Sequence, residues 1–166
     1  MPSRFAPTSE PRASQPFWRR KALADLTRPE WESLCDGCGL CCLLKLEDDE
    51  TGEVEYTDLS CRLLDCDSCR CSDYPNRQSI VEDCIGLTPD RVAQSYWLPP
   101  TCAYRLVDAG HDLYWWHHLV SGDRETVHQA GISARGRVVS EDDCEDDVLN
   151  RVVDWPLRQP AEGRSD

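Results

Sequence analysis

Four cysteines within eight residues constrain this chain more than any other feature of its sequence. Cys35, Cys38, Cys41 and Cys42 follow the pattern C-x2-C-x2-C-C. Two residues between cysteines let the chain turn so that both sulfurs reach one metal centre. The glycines between the first three cysteines allow positive φ and close backbone approach. Hydrophobic packing does not require this density of cysteine, so the segment predicts a metal site.

The adjacent pair Cys41 and Cys42 leaves two arrangements open. Neighbouring side chains diverge, so either one of the two thiols is a spare or the site holds more than one metal ion. The C-x2-C-x2-C run is also similar to the first three ligands of a bacterial ferredoxin cluster. The usual local continuation, x3-C-P, is missing because position 45 is Lys45. Buried structural thiols and a redox dithiol are the alternatives to metal binding.

A second group of cysteines lies further along the chain, at Cys61, Cys66, Cys69, Cys71 and Cys84. We predict that a hairpin over residues 43–58 brings Cys61 back beside Cys42. Eleven cysteines leave room for two four-coordinate sites or for one polynuclear cluster. Four thiolates on a divalent ion keep a net negative charge. Lys45, Arg62 and Arg70 are therefore candidate counter-charges.

The remaining cysteines have weaker local support. Cys102 falls in the first turn of a predicted helix, where the helix dipole favours a thiolate, and is either a distant ligand or a structural thiol. Cys144 shares helical spacing with Val148 and Val152, which favours a core or surface thiol. His117 and His118 follow two tryptophans, and packing within an aromatic patch is favoured for them over a role as ligands.

Charge and composition exclude several classes of partner. Lys plus Arg is 18 and Asp plus Glu is 31, giving 18 − 31 = −13, which disfavours a nucleic acid. No stretch approaches the roughly 20 apolar residues that span a bilayer, so no membrane partner is expected. The N-terminus has no apolar run of the kind found in secretory signals. We therefore expect a cytoplasmic protein with reduced thiols, which bind metal more often than they form disulfides.

We predict one domain over residues 17–155, preceded by a disordered lead-in at 1–16 and followed by a loose tail at 156–166. The expected fold class is α+β: a small irregular cysteine-rich domain with short helices and a β-hairpin around a metal centre. Residues 59–75 are expected to be an irregular loop. Short strands are expected in the hairpin and at 135–139. The predicted helices lie at 17–26, after Thr27, at 78–83, at 88–95, at 102–109 with Thr101 as its cap, and from Ser140 to Val153.

The strings CDGCGLCC, LSCRLLDCDSCRCSDY, EDCIGLTPD and WLPPTCAYRL resemble the YcgN-like proteins of the bacterial YkgJ-type cysteine-cluster family. The resemblance covers roughly residues 17–155. That family is described as carrying a zinc- or iron-chelating domain, with no established activity. The resemblance implies metal chelation by Cys35, Cys38, Cys41, Cys42, Cys61, Cys69, Cys71, Cys84 and Cys102. Cys66 and Cys144 resemble additions to the family motif.

The sequence therefore predicts a metal-binding protein that holds an iron–sulfur cluster or iron, or alternatively zinc. Cys35, Cys38 and Cys41 are expected to supply three ligands, and the partition of the others stays open. Two further functions remain as alternatives: an interaction module with structural zinc, and a cysteine-cluster-dependent enzyme. The enzyme would be an oxidoreductase or, by distant similarity to flagellin lysine N-methylases, a methyl transferase. No catalytic residue and no protein partner is identified.

Overall fold

The computed structural model describes residue 11 and residues 14–155 of the 166-residue chain. The predicted lead-in at 1–16 and tail at 156–166 lie largely or wholly outside the described residues. The helices are α1 Phe17–Arg20, α2 Arg28–Ser33, α3 Arg77–Ile80, α4 Pro89–Gln94, α5 Ala103–Asp108, α6 His118–Ser121 and α7 Thr126–Gln129. The strands are β1 Leu43–Glu47, β2 Val54–Ser60, β3 Leu64–Asp65, β4 Arg70–Cys71 and β5 Val139–Ser140. The α+β class is confirmed.

The segment 35–42, which contains Cys35, Cys38, Cys41 and Cys42, is called the cysteine string below. The helix that precedes it begins where the sequence predicts. The Thr27 hydroxyl accepts a hydrogen bond from the Glu30 amide, and the Glu30 carboxylate accepts one from the Thr27 amide. This capping box satisfies two backbone donors that a helix start leaves open. Pro29 lies in the first turn, where its missing N–H costs nothing. Local side chains alone therefore fix the start of α2.

The predicted hairpin is confirmed as β1 and β2, which pair antiparallel from Leu43 opposite Ser60 to Glu47 opposite Val54. The Asp48 carboxylate accepts hydrogen bonds from the Glu50 and Thr51 amides, which closes the acidic turn. Strand β5 joins β2 in parallel and completes a three-stranded sheet. The sheet therefore links strand β1, which directly follows Cys42, with strand β5 near the C-terminal end of the described chain.

Residues 59–75 are more regular than predicted, because they contain a second small hairpin. Leu64 pairs with Cys71 and Asp65 pairs with Arg70, forming β3 and β4. The Asp65 carboxylate accepts hydrogen bonds from the amides of the next two turn residues, Asp67 and Ser68. This turn chemistry replaces the apolar alternation that the sequence lacks here.

Two predicted helix boundaries are wrong. Cys102, and not Thr101, is the N-cap of α5, so Cys102 precedes the first turn. The helix predicted from Ser140 to Val153 is replaced by two 3₁₀ turns, at Glu141–Asp143 and Val148–Arg151. The Asp147 carboxylate accepts a hydrogen bond from the Leu149 amide and starts the second turn separately. The helical spacing proposed for Cys144 therefore does not exist.

Three other elements are shorter than predicted or displaced. The first predicted helix ends at Arg20 because Lys21 is extended, and a 3₁₀ turn at Leu23–Asp25 follows. The helix predicted at 78–83 lies at Arg77–Ile80. The strand predicted at 135–139 is reduced to β5, whose two residues pair with the end of β2.

Contacts in the described residues gather into two compact units, and the single predicted domain stays a prediction. The first unit contains residues 11, 14–36 and 87–130, and the second contains 37–86 and 131–155. The core of the first unit lies among α2, α4 and α5, where Leu34 is fully buried and the Tyr104 hydroxyl donates to the Trp31 carbonyl. In the second unit the Trp155 indole donates to the Thr57 carbonyl beneath the sheet. Within the described part of the chain, every helix is too short and too polar to cross a bilayer.

His117 is buried in the first unit as a neutral imidazole. Its Nδ1 accepts a hydrogen bond from the Leu119 amide, so Nε2 carries the proton and donates to the Leu34 carbonyl at 2.7 Å. Burial lowers the pKa of His117 to about 4, which outweighs the opposing effect of the Leu34 carbonyl. The preference for packing over ligation at His117 agrees with these contacts.

We expect the stability of the protein to fall as the pH drops from about 6.5 to about 4. In this range the unfolded chain binds a proton at position 117 that the folded chain excludes. The loss is on the order of 3 kcal/mol, measured by urea unfolding at several pH values. His117→Gln is expected to reduce the slope, whereas the matched change His111→Gln keeps it. An equal slope in wild type and His117→Gln contradicts this assignment.

Candidate metal centre

The cysteine string adopts the tight backbone that its glycines allow. Gly37 and Gly39 have φ values of 78° and 75°, in the left-handed region, and a 3₁₀ turn at Leu40–Cys42 follows. The cysteines differ in exposure: Cys35 and Cys41 are exposed, Cys42 is half-buried and Cys38 is buried. Cys35 belongs to the first unit and the other three cysteines belong to the second. The string therefore turns sharply, as predicted, but its thiols do not share one environment.

Four thiols from separate segments of the second unit lie near one another. They are Cys41 in the 3₁₀ turn, Cys61 after β2, Cys71 in β4 and Cys84 after α3, and we refer to them as the four-thiol group. Burial raises the pKa of Cys84, and its electrostatic interactions with Cys61, Cys71 and Cys41 raise that pKa further. The other three thiols are therefore close enough to Cys84 to oppose its ionisation.

The hairpin brings two of these segments together. The Cys61 amide donates to the Cys42 carbonyl at 2.8 Å, directly beyond the pairing of Leu43 with Ser60. This contact confirms the prediction that Cys61 returns beside Cys42. Cys71 follows because the small hairpin begins three residues after Cys61. A continuous run of backbone pairing thus positions three of the four segments.

Two cations lie beside these thiols. The Lys45 ammonium donates to the carbonyls of Leu40, Cys41 and Leu43 at 3.1, 3.2 and 2.8 Å, so each of its three protons has an acceptor. Burial lowers the pKa of Lys45, and the nearby thiols of the cysteine string oppose that shift. The Arg77 guanidinium lowers the pKa of Cys84.

The sequence anticipated only part of this charge balance. Lys45, one of the three predicted counter-charges, lies beside thiols of the cysteine string. Arg62 instead donates to the carbonyl of Ile80. Arg77 was missed because no local pattern links it to Cys84, seven positions later in the chain.

Cys66 and Cys69 form a separate pair in the turn between β3 and β4. Cys69 is 5% exposed and has a φ of 58°. Burial raises the pKa of Cys69, whereas the Arg135 charge and the neighbouring Ala134 and Ser133 lower it. The Ala134 amide donates to the Cys38 carbonyl at 2.8 Å. No sequence pattern indicated residues 133–135, which lie more than sixty positions away in the chain.

The other cysteines lie in different surroundings. Cys102 is half-buried against the apolar core of the first unit, as expected for the structural-thiol alternative. Cys144 is half-buried and ends the 3₁₀ turn at Glu141–Asp143.

The donor chemistry fits zinc or iron, but the ligand geometry is not assembled. Thiolates are preferred ligands of both metals. Across the described residues, no three side chains of His, Cys, Asp or Glu are placed as a set that holds a metal ion. Three thiols act electrostatically on Cys84, but the described side chains are not arranged around one point as metal ligands are.

Comparison with known proteins supports metal chelation. Residues 34–103 match the model of a family headed CxxCxxCC, described as "Putative zinc- or iron-chelating domain". A UPF0260 protein of Allorhizobium ampelinum is 63% identical over 145 residues, which cover 87% of this chain and 91% of that protein. A UPF0260 protein of Sinorhizobium medicae is 61% identical over 151 residues, covering 89% of this chain and 97% of that protein. No solved structure gives a significant match.

We expect Lys45→Met to lower the free energy of unfolding of the metal-free protein by about 1–3 kcal/mol, because three carbonyls in a buried turn lose their donor. The matched control is Lys21→Met, which removes the partly exposed ion pair with Glu30. That change is expected to cost less than about 1 kcal/mol. Urea unfolding under reducing conditions measures both values. Equal losses in the two variants contradict a special role for Lys45.

Proposed function

This chain belongs to the UPF0260 protein family, and we propose that it binds iron as an iron–sulfur cluster through Cys41, Cys61, Cys71 and Cys84. The observation that carries the proposal is the interaction of Cys84 with three thiols from separate segments. Thiols repel one another when they ionise, so a fold gains no stability from gathering them unless a cation compensates. A bound metal provides that compensation.

The wider set of nine predicted cysteine ligands stays a prediction. The proposed set takes one ligand from the cysteine string, so the expectation that Cys35, Cys38 and Cys41 act together is not part of it. Cys38, Cys41 and Cys42 all interact with Lys45, and of these three thiols Cys41 is the one that also interacts with Cys84. This assignment also answers the question about the adjacent pair: Cys41 is the ligand and Cys42 is the spare thiol.

The arrangement of the four thiols in space, near one another but not around one point, favours a cluster over a single ion. A zinc ion holds each sulfur at about 2.3 Å, which requires all four thiols to meet around one point. A cluster places several metal and sulfide atoms between its thiolates and so accepts more widely separated cysteines. No compact set of three donors exists in the described part of the structure, whereas the four thiols are near enough to interact.

The charge of the loaded site also supports this proposal. Four thiolates around a doubly charged core leave a net charge of about −2, which a buried site tolerates only with compensating donors. Lys45 and Arg77 supply positive charge on the protein side. The odd number of cysteines, eleven, prevents complete pairing into disulfides within the chain, which supports a reducing compartment such as the cytoplasm.

Isolation of the protein without oxygen tests the identity of the metal. We expect a coloured protein with visible sulfur-to-iron absorption and matching amounts of iron and acid-labile sulfide. Exposure to a strong iron chelator is expected to bleach the absorption and lower the melting temperature, because the metal links separate segments. Colourless protein with stoichiometric zinc would overturn the iron–sulfur assignment and favour structural zinc.

Serine substitutions test the ligand set. We expect Cys61→Ser and Cys84→Ser each to lower the metal content or affinity at least about tenfold, since losing a ligand costs more than losing a group that only hydrogen-bonds to a ligand. Cys144→Ser is the matched control because it removes a half-buried thiol outside the group, and it is expected to keep full loading. Circular dichroism of each metal-free variant separates ligand loss from misfolding. Unchanged loading in both Cys61→Ser and Cys84→Ser contradicts the proposed ligands.

A further inference from the structure

The tip of the small hairpin places Cys66 and Cys69 opposite each other. Asp65 pairs with Arg70 at the end of the β3–β4 ladder, so the two cysteines are the first and last residues of the four-residue turn beyond it. The first and fourth residues of a tight turn have Cα atoms less than about 7 Å apart. A disulfide spans Cα separations of about 4.4–6.8 Å. The Cα separation expected across this turn therefore overlaps the range that suits a disulfide.

The turn between them is fixed by hydrogen bonds. The Asp65 carbonyl accepts from the Cys69 amide at 2.8 Å, and the Asp65 carboxylate accepts from the amides of Asp67 and Ser68 at 2.9 and 3.1 Å. Cys69 is held in the left-handed region, which non-glycine residues rarely occupy. The turn therefore fixes the backbone at both cysteines, and the Cys66 thiol lies close enough to Cys69 to act on it electrostatically.

The two thiols differ in access. Cys66 is half-buried, and its sulfur lies 3.6 Å from the Ser60 hydroxyl. Cys69 is buried, and its thiol lies beside Ser133 and Ala134, which lower its pKa. A Cβ atom added at Gly39 would lie 3.4 Å from the Cys69 sulfur, so the Gly39 backbone packs closely against this side of Cys69. A reagent from solvent therefore meets Cys66 first, and Cys69 is placed to react with whatever Cys66 becomes.

We propose that Cys66 and Cys69 are a redox dithiol, distinct from the four-thiol group, that a low-molecular-weight disulfide oxidises to an intramolecular disulfide. This proposal rests on the hairpin and stands whichever metal the protein binds. It also gives a use to Cys66, which the family motif does not include.

The exchange balances in two steps. The Cys66 thiolate attacks one sulfur of a glutathione disulfide, whose S–S bond breaks to release one glutathione thiolate. Cys69 then loses its proton to that thiolate and attacks the Cys66 sulfur, which releases the second glutathione. The two cysteines lose two electrons in total, and one glutathione disulfide is reduced to two thiols. Excess reduced glutathione drives the reverse reaction.

Oxidation of the full chain with glutathione disulfide tests this proposal, with zinc-loaded and metal-free protein treated in parallel. We expect mass mapping after alkylation to find a Cys66–Cys69 disulfide in both samples, lost on treatment with reduced glutathione. Two results would overturn the proposal: both cysteines remain thiols, or bound zinc protects both from alkylation in the reduced protein. The second result would place them among the metal ligands. Zinc content is measured on the same samples, so a failure to bind metal is recorded separately from the fate of this pair.

Two variants and a control test the order of the steps. Cys69→Ser is expected to accumulate a glutathione mixed disulfide on Cys66, because the thiol that resolves it is absent. Cys66→Ser is expected to leave Cys69 as a thiol under the same conditions. Cys144→Ser is the matched control and is expected to form the disulfide as wild type does. If a variant fails to fold, the mapping of wild-type protein still decides between the outcomes.

Discussion

The hydrogen bond from the Cys61 amide to the Cys42 carbonyl is the contact on which the arrangement of the second unit depends. It extends the β1–β2 ladder by one step past Leu43 and Ser60, and so returns the chain to the cysteine string after a turn of acidic residues. The second hairpin, which contains Cys71, begins three residues after Cys61 and is therefore positioned by this contact. Backbone pairing has to bring the cysteine segments together, because ionised thiols repel one another and give no attraction of their own.

Burial and nearby positive charges explain how the metal-free protein accommodates several neighbouring thiols. Burial raises the pKa of Cys84 and of Cys69, so these thiols stay protonated more readily than free cysteine. A lysine and two arginines lie beside the three regions that contain thiols, at Lys45, Arg77 and Arg135. The protein is strongly acidic overall, with a net charge of −13, so these cations are a local exception that the fold arranges.

The structure also separates the cysteines by environment. Four thiols share one neighbourhood, two sit across a hairpin tip beside residues 133–135, and Cys102 packs against the core of the first unit. The two proposals, a cluster ligand set and a redox dithiol, use different thiols and are tested by different measurements.

Local chemistry let the sequence determine several features by itself. The capping box at Thr27, the β1–β2 hairpin, the left-handed glycines and the nearness of Lys45 to the cysteine string all depend on residues a few positions apart. The sequence misplaced the Ser140–Val153 helix because Asp147 starts a separate turn, and it missed the β3–β4 hairpin because hydrogen bonds to Asp65 replace apolar alternation. Only the tertiary structure decided which cysteines meet, and that Arg77 and residues 133–135 accompany them. These contacts bring together segments that are far apart in the chain, and no local sequence pattern identifies which segments will meet.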